Sequence, residues 1–301
     1  VERFARASSL HLERAAAIFA SAHSDDRVIP TRQQPAPMKI DLGGKPALVT
    51  GSTAGIGLAI AKGLAGAGVR IVVNGRHHDS VERGVAAVLA AVPGGDVIGA
   101  AADVSNAQGC AALVAEVPQV DILVNNTGIF EPKNFFETPD ADWIRFIETN
   151  VMSGVRLSRA YMPAMLKADW GRIVFISSES GLNIPKEMIH YGMTKTAQLA
   201  IARGLAELTA GTGVTVNSVL PGPTRSEGVE EFLAAMARDA GVSVDAMAAG
   251  FVKEHRPSSL LQRFASVDEV ANMVVYACSK EASATNGAAL RVEGGIVRSI
   301  S

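Results

Sequence analysis

Seven short apolar runs that never alternate constrain this chain more than any other feature. They are Ala47–Thr50, Arg70–Asn74, Val97–Ala101, Ile122–Asn125, Arg172–Ser177, Thr215–Val219 and Ala289–Val292. A strand with one wet face alternates apolar with polar residues, whereas an unbroken apolar run fits a strand covered on both faces. Ala-rich segments at helical spacing lie between the runs: Ile56–Ala67, Ser80–Val92 and Asn106–Val117, then the longer Asp140–Lys167 and Glu187–Ala210. Strands alternating with helices predict an α/β fold, a doubly wound parallel seven-stranded sheet in a single domain. At 301 residues, 48% of them hydrophobic, the chain can bury the core this requires.

Two regions break the rhythm. Between Pro221 and Ser266 the pattern predicts no strand, only helical stretches at Glu227–Asp239 and Val244–His255. A long excursion after a late strand is read as a helical lid, about 224–262, beside a ligand site. Residues 1–37 differ in composition from the rest and end in the turn-rich IPTRQQPAP. Ala20-Ser21-Ala22 has the outline of a leader-cleavage site, but the apolar run before it is poor in Leu and flanked by acids. The segment is therefore expected to be a disordered extension or a non-native start carrying no chemistry, with the functional domain at 38–301.

Charge and cysteine content narrow the partners. Twenty-eight basic and thirty acidic residues give a net charge of -2, without a like-charge block that would call for nucleic acid or an anionic membrane. The longest charge-free stretch, Leu208–Thr224, is interrupted by Gly, Thr, Asn and Pro and cannot span a bilayer. Cys110 and Cys278 sit in apolar, Ala-rich contexts and read as buried free thiols of a cytoplasmic protein. The six histidines are scattered, none paired with a nearby carboxylate in a way that suggests a ligand set, so no metal is expected.

The first strand leads into Thr50-Gly51-Ser52-Thr53-Ala54-Gly55-Ile56-Gly57, which opens the first long helix. Glycines there permit a tight turn and let backbone N–H groups approach a pyrophosphate at the positive end of the helix. A glycine-rich turn alone is common; the strand before it and the helix after it make this a Rossmann-like dinucleotide site. Tyr191 and Lys195 stand at i and i+4 in a predicted helix and so share a face. An ammonium beside a phenol lowers its pKa and suits it to act as acid and base for an alcohol or ketone. Ser178 lies thirteen residues upstream, at the carboxyl end of the Arg172–Ser177 strand, where open α/β sheets bind ligands. Asn125-Asn126-Thr127-Gly128 ends the preceding strand in the same way, and Asn150 lies in the helix that follows.

TGSTAGIG, the NNTG tetrapeptide, Asn150, Ser178 and YGMTK, in this order and spacing, resemble the short-chain dehydrogenase/reductase family, and the 3-oxoacyl-thioester reductase-like branch most. The resemblance extends over about residues 40 to 300 and includes Pro221-Gly222-Pro223-Thr224 and Val292-Glu293-Gly294-Gly295. It implies a tetrad. Tyr191 is the general acid/base, Lys195 lowers its pKa and holds the nicotinamide ribose, Ser178 orients the substrate oxygen, and Asn150 holds a water that relays protons. It further implies that Gly51, Ser52, Thr53, Gly55, Ile56, Gly57, Val104, Asn125 and Gly128 border the cofactor. Asp103 would meet the adenine, and Pro221, Gly222 and Thr224 the nicotinamide side. Family precedent adds a homotetramer, with the helices at Asp140–Lys167 and Glu187–Ala210 pairing across one interface.

Where NAD-preferring relatives end the second strand in an acid, this chain has Asn74, then Gly75 and Arg76. Losing the carboxylate removes repulsion of a 2′-phosphate, and a guanidinium offers that phosphate a bidentate fork. NADP(H) is thus expected over NAD(H), with Arg76 dominant and Ser52 or Asn74 assisting. Two departures from the family pattern stand out. Thr127 replaces the usual alanine of NNAG, and Glu179 follows Ser178 where small or apolar residues are usual; Glu179 is expected to face solvent, the other reading being the border of the substrate site. His190 should point away from Tyr191, toward substrate or a neighbouring subunit. His77-His78 should be solvated, Trp143 and Trp170 should pack helices, and Ile184, Pro185, Met188 and Ile189 are candidate pocket lining. The expected function is an NADPH-dependent carbonyl reductase; the alternatives are a non-catalytic nucleotide-binding regulator and an NAD-linked alcohol dehydrogenase.

Overall fold

The computed structural model describes residues 40–300, and the expected extension at 1–37 lies outside them. The sheet runs β3-β2-β1-β4-β5-β6-β9, all parallel. Its strands are β1 (Pro46–Val49), β2 (Arg70–Gly75), β3 (Val97–Ala101), β4 (Ile122–Asn125), β5 (Gly171–Ile176), β6 (Val214–Pro221) and β9 (Ala289–Val292). The order reverses at β1, where one half of the sheet is wound to each side, so the carboxyl ends of β1 and β4 open a crevice for a ligand.

Side-chain alternation along each buried strand feeds two separate cores. On one face Ala47, Val49, Ile71, Val73 and Val124 pack with Ile60 and Leu64 of α1 (Gly55–Gly66), Val88 of α2 (His78–Ala91), and Val270 and Val274 of α9 (Val267–Cys278). On the other, Leu48, Val72, Leu123, Ile173 and Phe175 meet Leu113 of α3 (Ala107–Glu116), Leu157 and Tyr161 of α5 (Ser153–Lys167), and Ala202 of α6 (Ile189–Glu207). Gly154 of α5 admits the Phe175 ring: a Cβ there would lie 2.6 Å from Cε1. Cys110 and Cys278 are both buried and free. Among the described residues no helix is long and apolar enough to cross a membrane.

Three elements depart from the sequence expectation. The segment Asp140–Lys167 is not one helix: α4 (Asp140–Phe146) passes through a π-helical turn, Ile147–Met152, into α5. A π turn widens the helix by one residue and is a common device at functional sites; Asn150 lies on it. The stretch from Pro221 to Ser266 does contain strands, β7 (Thr224–Arg225) and β8 (Ala265–Ser266), paired parallel at the root of the excursion formed by α7 (Glu227–Ala240) and α8 (Val244–His255). Two-residue strands carry too little pattern to be read from sequence. The helix α9 went unread, although Ser266-Val267-Asp268-Glu269 has the spacing of a capping box. Ser266 Oγ accepts from Glu269 N at 3.1 Å, and the Glu269 carboxylate accepts from Ser266 N at 2.8 Å.

That capping box yields a stability prediction. Ser266→Ala should destabilise the protein by about 1 kcal/mol, the usual worth of an N-cap hydroxyl, and lower Tm by about 2–4 °C in a chain of this size. Chemical and thermal denaturation would measure it; an unchanged Tm would mean that the packing of α9 alone fixes its first turn.

Candidate active site

The glycine loop after β1 is held from two sides. Gly51 adopts φ +60°, a backbone region open to glycine at no steric cost. At Gly57 a Cβ would overlap Gly51 O and lie 2.9 Å from Ser52 Cα, so the first turn of α1 closes on the loop only because that side chain is absent. Asn126 pins the other side, its Nδ2 donating to Thr50 O at 2.9 Å and Gly51 O at 3.0 Å. Thr50 Oγ1 accepts in return from the N–H groups of Asn126 and Thr127, each at 3.0 Å. Thr53, Gly55 and Ile56 are partly exposed at the loop. Thr127 Oγ1 is buried against Gly51 without a hydrogen-bond partner. A cleft of about 580 Å³ continues from Gly55 and Leu58 past Lys62 to Arg225 and Glu230 at the start of α7.

Several residues expected to border the cofactor turn their side chains inward. Ser52 Oγ donates to Val49 O at 2.7 Å and accepts from Asn74 N at 3.0 Å. Asn74 is 1% exposed, and its Nδ2 bridges Ala100 O and Ala102 O at 3.1 and 3.2 Å. Asn125 Nδ2 donates to Ser158 Oγ at 3.2 Å, and Val104 is buried. These side chains are committed to the fold and brace the loop and the strand ends from within. Arg76, by contrast, is exposed just past β2, with no ion pair or hydrogen bond among the described residues. Asp103 is half-buried and accepts from Ser105 N at 3.1 Å. Across the crevice, Pro221 and Thr224 are buried and Gly222 is half-buried; Thr224 Oγ1 donates to Gly222 O at 2.9 Å.

The structure brings Ser178, Tyr191 and Lys195 together at the carboxyl end of β5. Lys195 Nζ donates to Ile176 O at 2.9 Å and lies 5.5 Å from the centroid of the Tyr191 ring. Ser177 Oγ donates to Lys195 O at 2.8 Å, fastening α6 to the serine segment. A Cβ at Gly181 would lie 2.9 Å from Lys195 C, so the turn at Glu179–Gly181 can rest directly on the helix. Ser178 Oγ accepts from Ser180 N at 3.1 Å and is near enough to the Tyr191 phenol to lower its pKa.

Burial governs the titration of both partners. It pushes the Tyr191 phenol up to about 12, against the lowering effect of the Ser178 hydrogen bond and with a further rise from the Glu179 charge. It pushes Lys195 down to about 7. Lys195 Nζ is aimed at a backbone carbonyl, and for the phenol desolvation outweighs the polar contacts.

Asn150 is held by four hydrogen bonds. Its Oδ1 accepts from Ile129 N at 2.8 Å, and its Nδ2 donates to Ile129 O and Thr194 Oγ1, both at 3.0 Å. Its main-chain carbonyl accepts from Gln198 Nε2 at 2.6 Å. Both amide hydrogens are thus given to protein acceptors. The side chain holds the Gly128–Ile129 backbone beside Lys195, where a Cβ at Gly128 would come within 3.4 Å of Nζ.

Other expectations resolve as follows. Glu179 is not solvated: it is 2% exposed and pairs with Arg256, Nε to Oε1, at 2.7 Å. His190 does turn from Tyr191, but into the protein, against the rings of Phe146 and Trp143 at 4.3 and 6.0 Å between centroids. Trp170 is partly buried between Lys45 and Arg172. Ile184 fills the space left by Gly192 and remains half exposed, with Met188 and Ile189 partly buried and Pro185 buried. His77 and His78 are exposed; His78 pairs with Glu82 at 3.3 Å beside Asp79, an exposed carboxylate pairing the sequence reading passed over. Asn126, Thr194, Gln198 and Arg256 were missed. The NNTG tetrapeptide pointed to Asn126, whereas the other three act through contacts between elements distant in sequence.

Comparison with known proteins identifies the family. The short chain dehydrogenase family model matches residues 45–238. The chain belongs to the short-chain dehydrogenase family. It is an oxidoreductase of the CH–OH/C=O couple. An uncharacterized oxidoreductase of Bacillus subtilis, YvaG, is 47% identical over 87% of this chain and 100% of its own length. The 3-oxoacyl-[acyl-carrier-protein] reductase FabG of Aquifex aeolicus is 32% identical over 86% of this chain and 100% of its own. Among solved structures, L-sorbose reductase from Gluconobacter frateurii, complexed with NADPH and L-sorbose, superposes with a TM-score of 0.83 at 30% identity, over 87% of this dehydrogenase and 100% of that chain.

The buried lysine carries a pH prediction. A lysine ordinarily titrates at 10.5, and in the folded dehydrogenase Lys195 titrates at about 7. Between those values the unfolded chain holds a proton that the folded chain has released, so stability rises with pH. From about pH 7 to about pH 8.5, below the range of the buried thiols and phenols, Lys195 should add up to about 1.4 kcal/mol per pH unit. Urea denaturation across that range should show this slope in the wild type and a flatter one in Lys195→Met; equal slopes would show that Lys195 does not titrate there.

Proposed function

We propose that this dehydrogenase is an NADPH-dependent carbonyl reductase in which Asn150, Ser178, Tyr191 and Lys195 form the catalytic group. The observation that carries the reading is the juxtaposition of the Tyr191 phenol, the Ser178 hydroxyl and a buried lysine, whose Nζ lies 5.5 Å from the Tyr191 ring, at the carboxyl end of β5. At neutral pH that phenol is protonated, the form able to give a proton to a carbonyl oxygen as it becomes an alcohol. The glycine cradle supports a bound nicotinamide dinucleotide: a loop with room for no Cβ at Gly57, an orphaned Thr127 hydroxyl, and a helix N-terminus for the pyrophosphate.

When bound, the nicotinamide supplies the hydride to the carbonyl carbon. Ser178 holds the substrate oxygen within reach of Tyr191, and Tyr191 donates its proton to that oxygen. Lys195 is held at the mouth of β5 by Ile176 O, next to the phenol it recharges. Asn150 fixes the Gly128–Ile129 backbone beside it. Gly51, Ser52, Thr53, Gly55, Ile56 and Gly57, with Asp103, Val104, Asn125, Gly128, Pro221, Gly222 and Thr224, would hold the cofactor. Ser52, Asn74, Val104 and Asn125 shape this site by bracing its backbone. The excursion of about 224–262 acts as the lid, and the substrate is a ketone. Assembly as a homotetramer through α5 and α6, in the cytoplasm, is part of the same reading; the exposed face of α5 and the two free thiols are consistent with it.

Two measurements test this. Tyr191→Phe should keep NADPH binding and lose at least about a hundredfold in turnover, the usual worth of a positioned acid/base group. The assay is NADPH consumption against a panel of 3-oxoacyl thioesters, acetoacetate, L-sorbose and quinones, and wild-type turnover in the variant would end the tetrad assignment. For cofactor choice, kcat/KM with NADPH should exceed that with NADH, and Arg76→Ala should cut the ratio by tenfold or more, about the worth of a charge-assisted hydrogen bond to phosphate. A wild type that prefers NADH, or a ratio untouched by the substitution, would favour the NAD-linked alcohol dehydrogenase instead.

A further inference from the structure

Glu179 adjoins the proposed catalytic serine, yet its side chain is turned into the protein and meets a residue from the far end of the excursion. Arg256 stands just beyond the last residue of α8, its N–H donating to Val252 O at 2.9 Å. Its Nε donates to Glu179 Oε1 at 2.7 Å, with side-chain exposures of 10% and 3%. Its NH1 lies 3.6 Å from Glu187 Oε1 and donates to His255 O at 2.8 Å. Glu179 follows Ser178, and Glu187 precedes Tyr191 by four residues, so one guanidinium touches both ends of the segment joining the two.

Two further observations give this contact a purpose. The excursion has its own small core of Leu233, Ala248, Val252 and Phe264, separate from the two cores of the sheet. It leaves and rejoins the domain through two-residue strands. A satellite of this kind can tilt on its root unless something fixes its register. Glu179 Oε2, for its part, is buried without a hydrogen-bond partner, so the compensation of that carboxylate comes through Oε1 from Arg256. Buried ion pairs add little net stability over an apolar pair of the same size, because desolvation offsets their attraction; what they can contribute is one specified geometry.

We propose that the Arg256–Glu179 ion pair is a positioning device for the reaction, locking the end of α8 to the turn that carries Ser178 so that the excursion and the serine are held in one register. The proposal rests on the tetrad reading above. Arg256 touches neither reacting group; it acts through Glu179 on the backbone that aims the Ser178 hydroxyl. A misplacement of about 1 Å in a reacting group is enough to cost about a hundredfold in rate.

The test uses the full chain, NADPH, and whichever ketone of the panel is turned over fastest. The variants are Arg256→Lys and the double variant Glu179→Gln with Arg256→Met, which removes both buried charges together and so avoids stranding one. Each is measured for Tm, for NADPH Kd by fluorescence, for kcat and KM, and for the primary isotope effect with deuterium at the transferred position of NADPH. The double variant should stay folded and keep the wild-type NADPH Kd, yet lose about tenfold or more in kcat with an enlarged isotope effect, as expected when reacting groups are misplaced. Arg256→Lys, which keeps the charge but not the planar fork, should fall between. Wild-type kcat and isotope effect in the double variant would overturn the proposal. So would a loss of activity that only follows loss of the fold or of NADPH binding, since the pair would then be structural. Tyr191→Phe is run alongside: retained turnover there would bring down the tetrad itself, an outcome distinct from failure of the ion pair.

Discussion

The seat of α6 on the end of β5 is the constraint on which the rest of the site depends. A strand that ends in a sheet leaves carbonyls with no further ladder to join, and a buried polar group of that kind must find a partner. Here Ile176 O takes the Lys195 ammonium, and Ser177 answers by donating to the carbonyl of the same lysine. Gly181 and Gly192 allow backbone against backbone, and Thr196 Oγ1 closes the contact on Gly181 O at 2.7 Å. Once the first turns of α6 are placed, Tyr191 follows, and its phenol can meet only the serine that caps the adjoining turn. A substitution that lifts the helix by a methyl group would displace all three groups at once.

That seat also sets the electrostatics. Lys195 has no carboxylate as a partner, so desolvation dominates and favours its neutral form. Tyr191 shares the same low-dielectric wall and is favoured neutral for the same reason. A lysine lowered and a phenol raised both reduce the charge the site carries. The buried Arg256–Glu179 pair adds two charges that cancel. Burial raises the pKa of Glu179, and Arg256 opposes it. Burial thus keeps the proton on the phenol at neutral pH.

Much of this was legible in the sequence because it is written in local patterns. Unbroken apolar runs gave the parallel strands within a residue or two, and the glycine loop, Ser178, Tyr191 and Lys195 lie where strand ends and one helix face had to put them. The features that were not legible arise between elements far apart in the chain. The π turn at Ile147–Met152 has no signature of its own, and it is stabilised across the interface by Gln198 donating to Asn150 O. Glu179 was expected in water because a lone carboxylate usually belongs there; its partner lies 77 residues away. The opposing pKa shifts of Tyr191 and Lys195 depend on the direction in which Nζ points and on how far the site around each group is withdrawn from water. Neither follows from i, i+4 spacing.

Asn74 shows how a residue can matter for selectivity without touching a ligand. Its Nδ2 donates to both Ala100 O and Ala102 O, tying the end of β2 to the end of β3, while its Oδ1 faces Gly51 N at 3.4 Å. A carboxylate of the same shape has no hydrogen to donate, and in that position it would confront two carbonyl oxygens with a negative charge. An acid at this strand end is therefore incompatible with the way β2 and β3 are joined here. The amide is required by the sheet, and the absence of a charge that would repel a 2′-phosphate follows from that requirement. The first charged side chain beyond the buried strand is the exposed guanidinium of Arg76, which on the proposed reading takes over recognition at this edge.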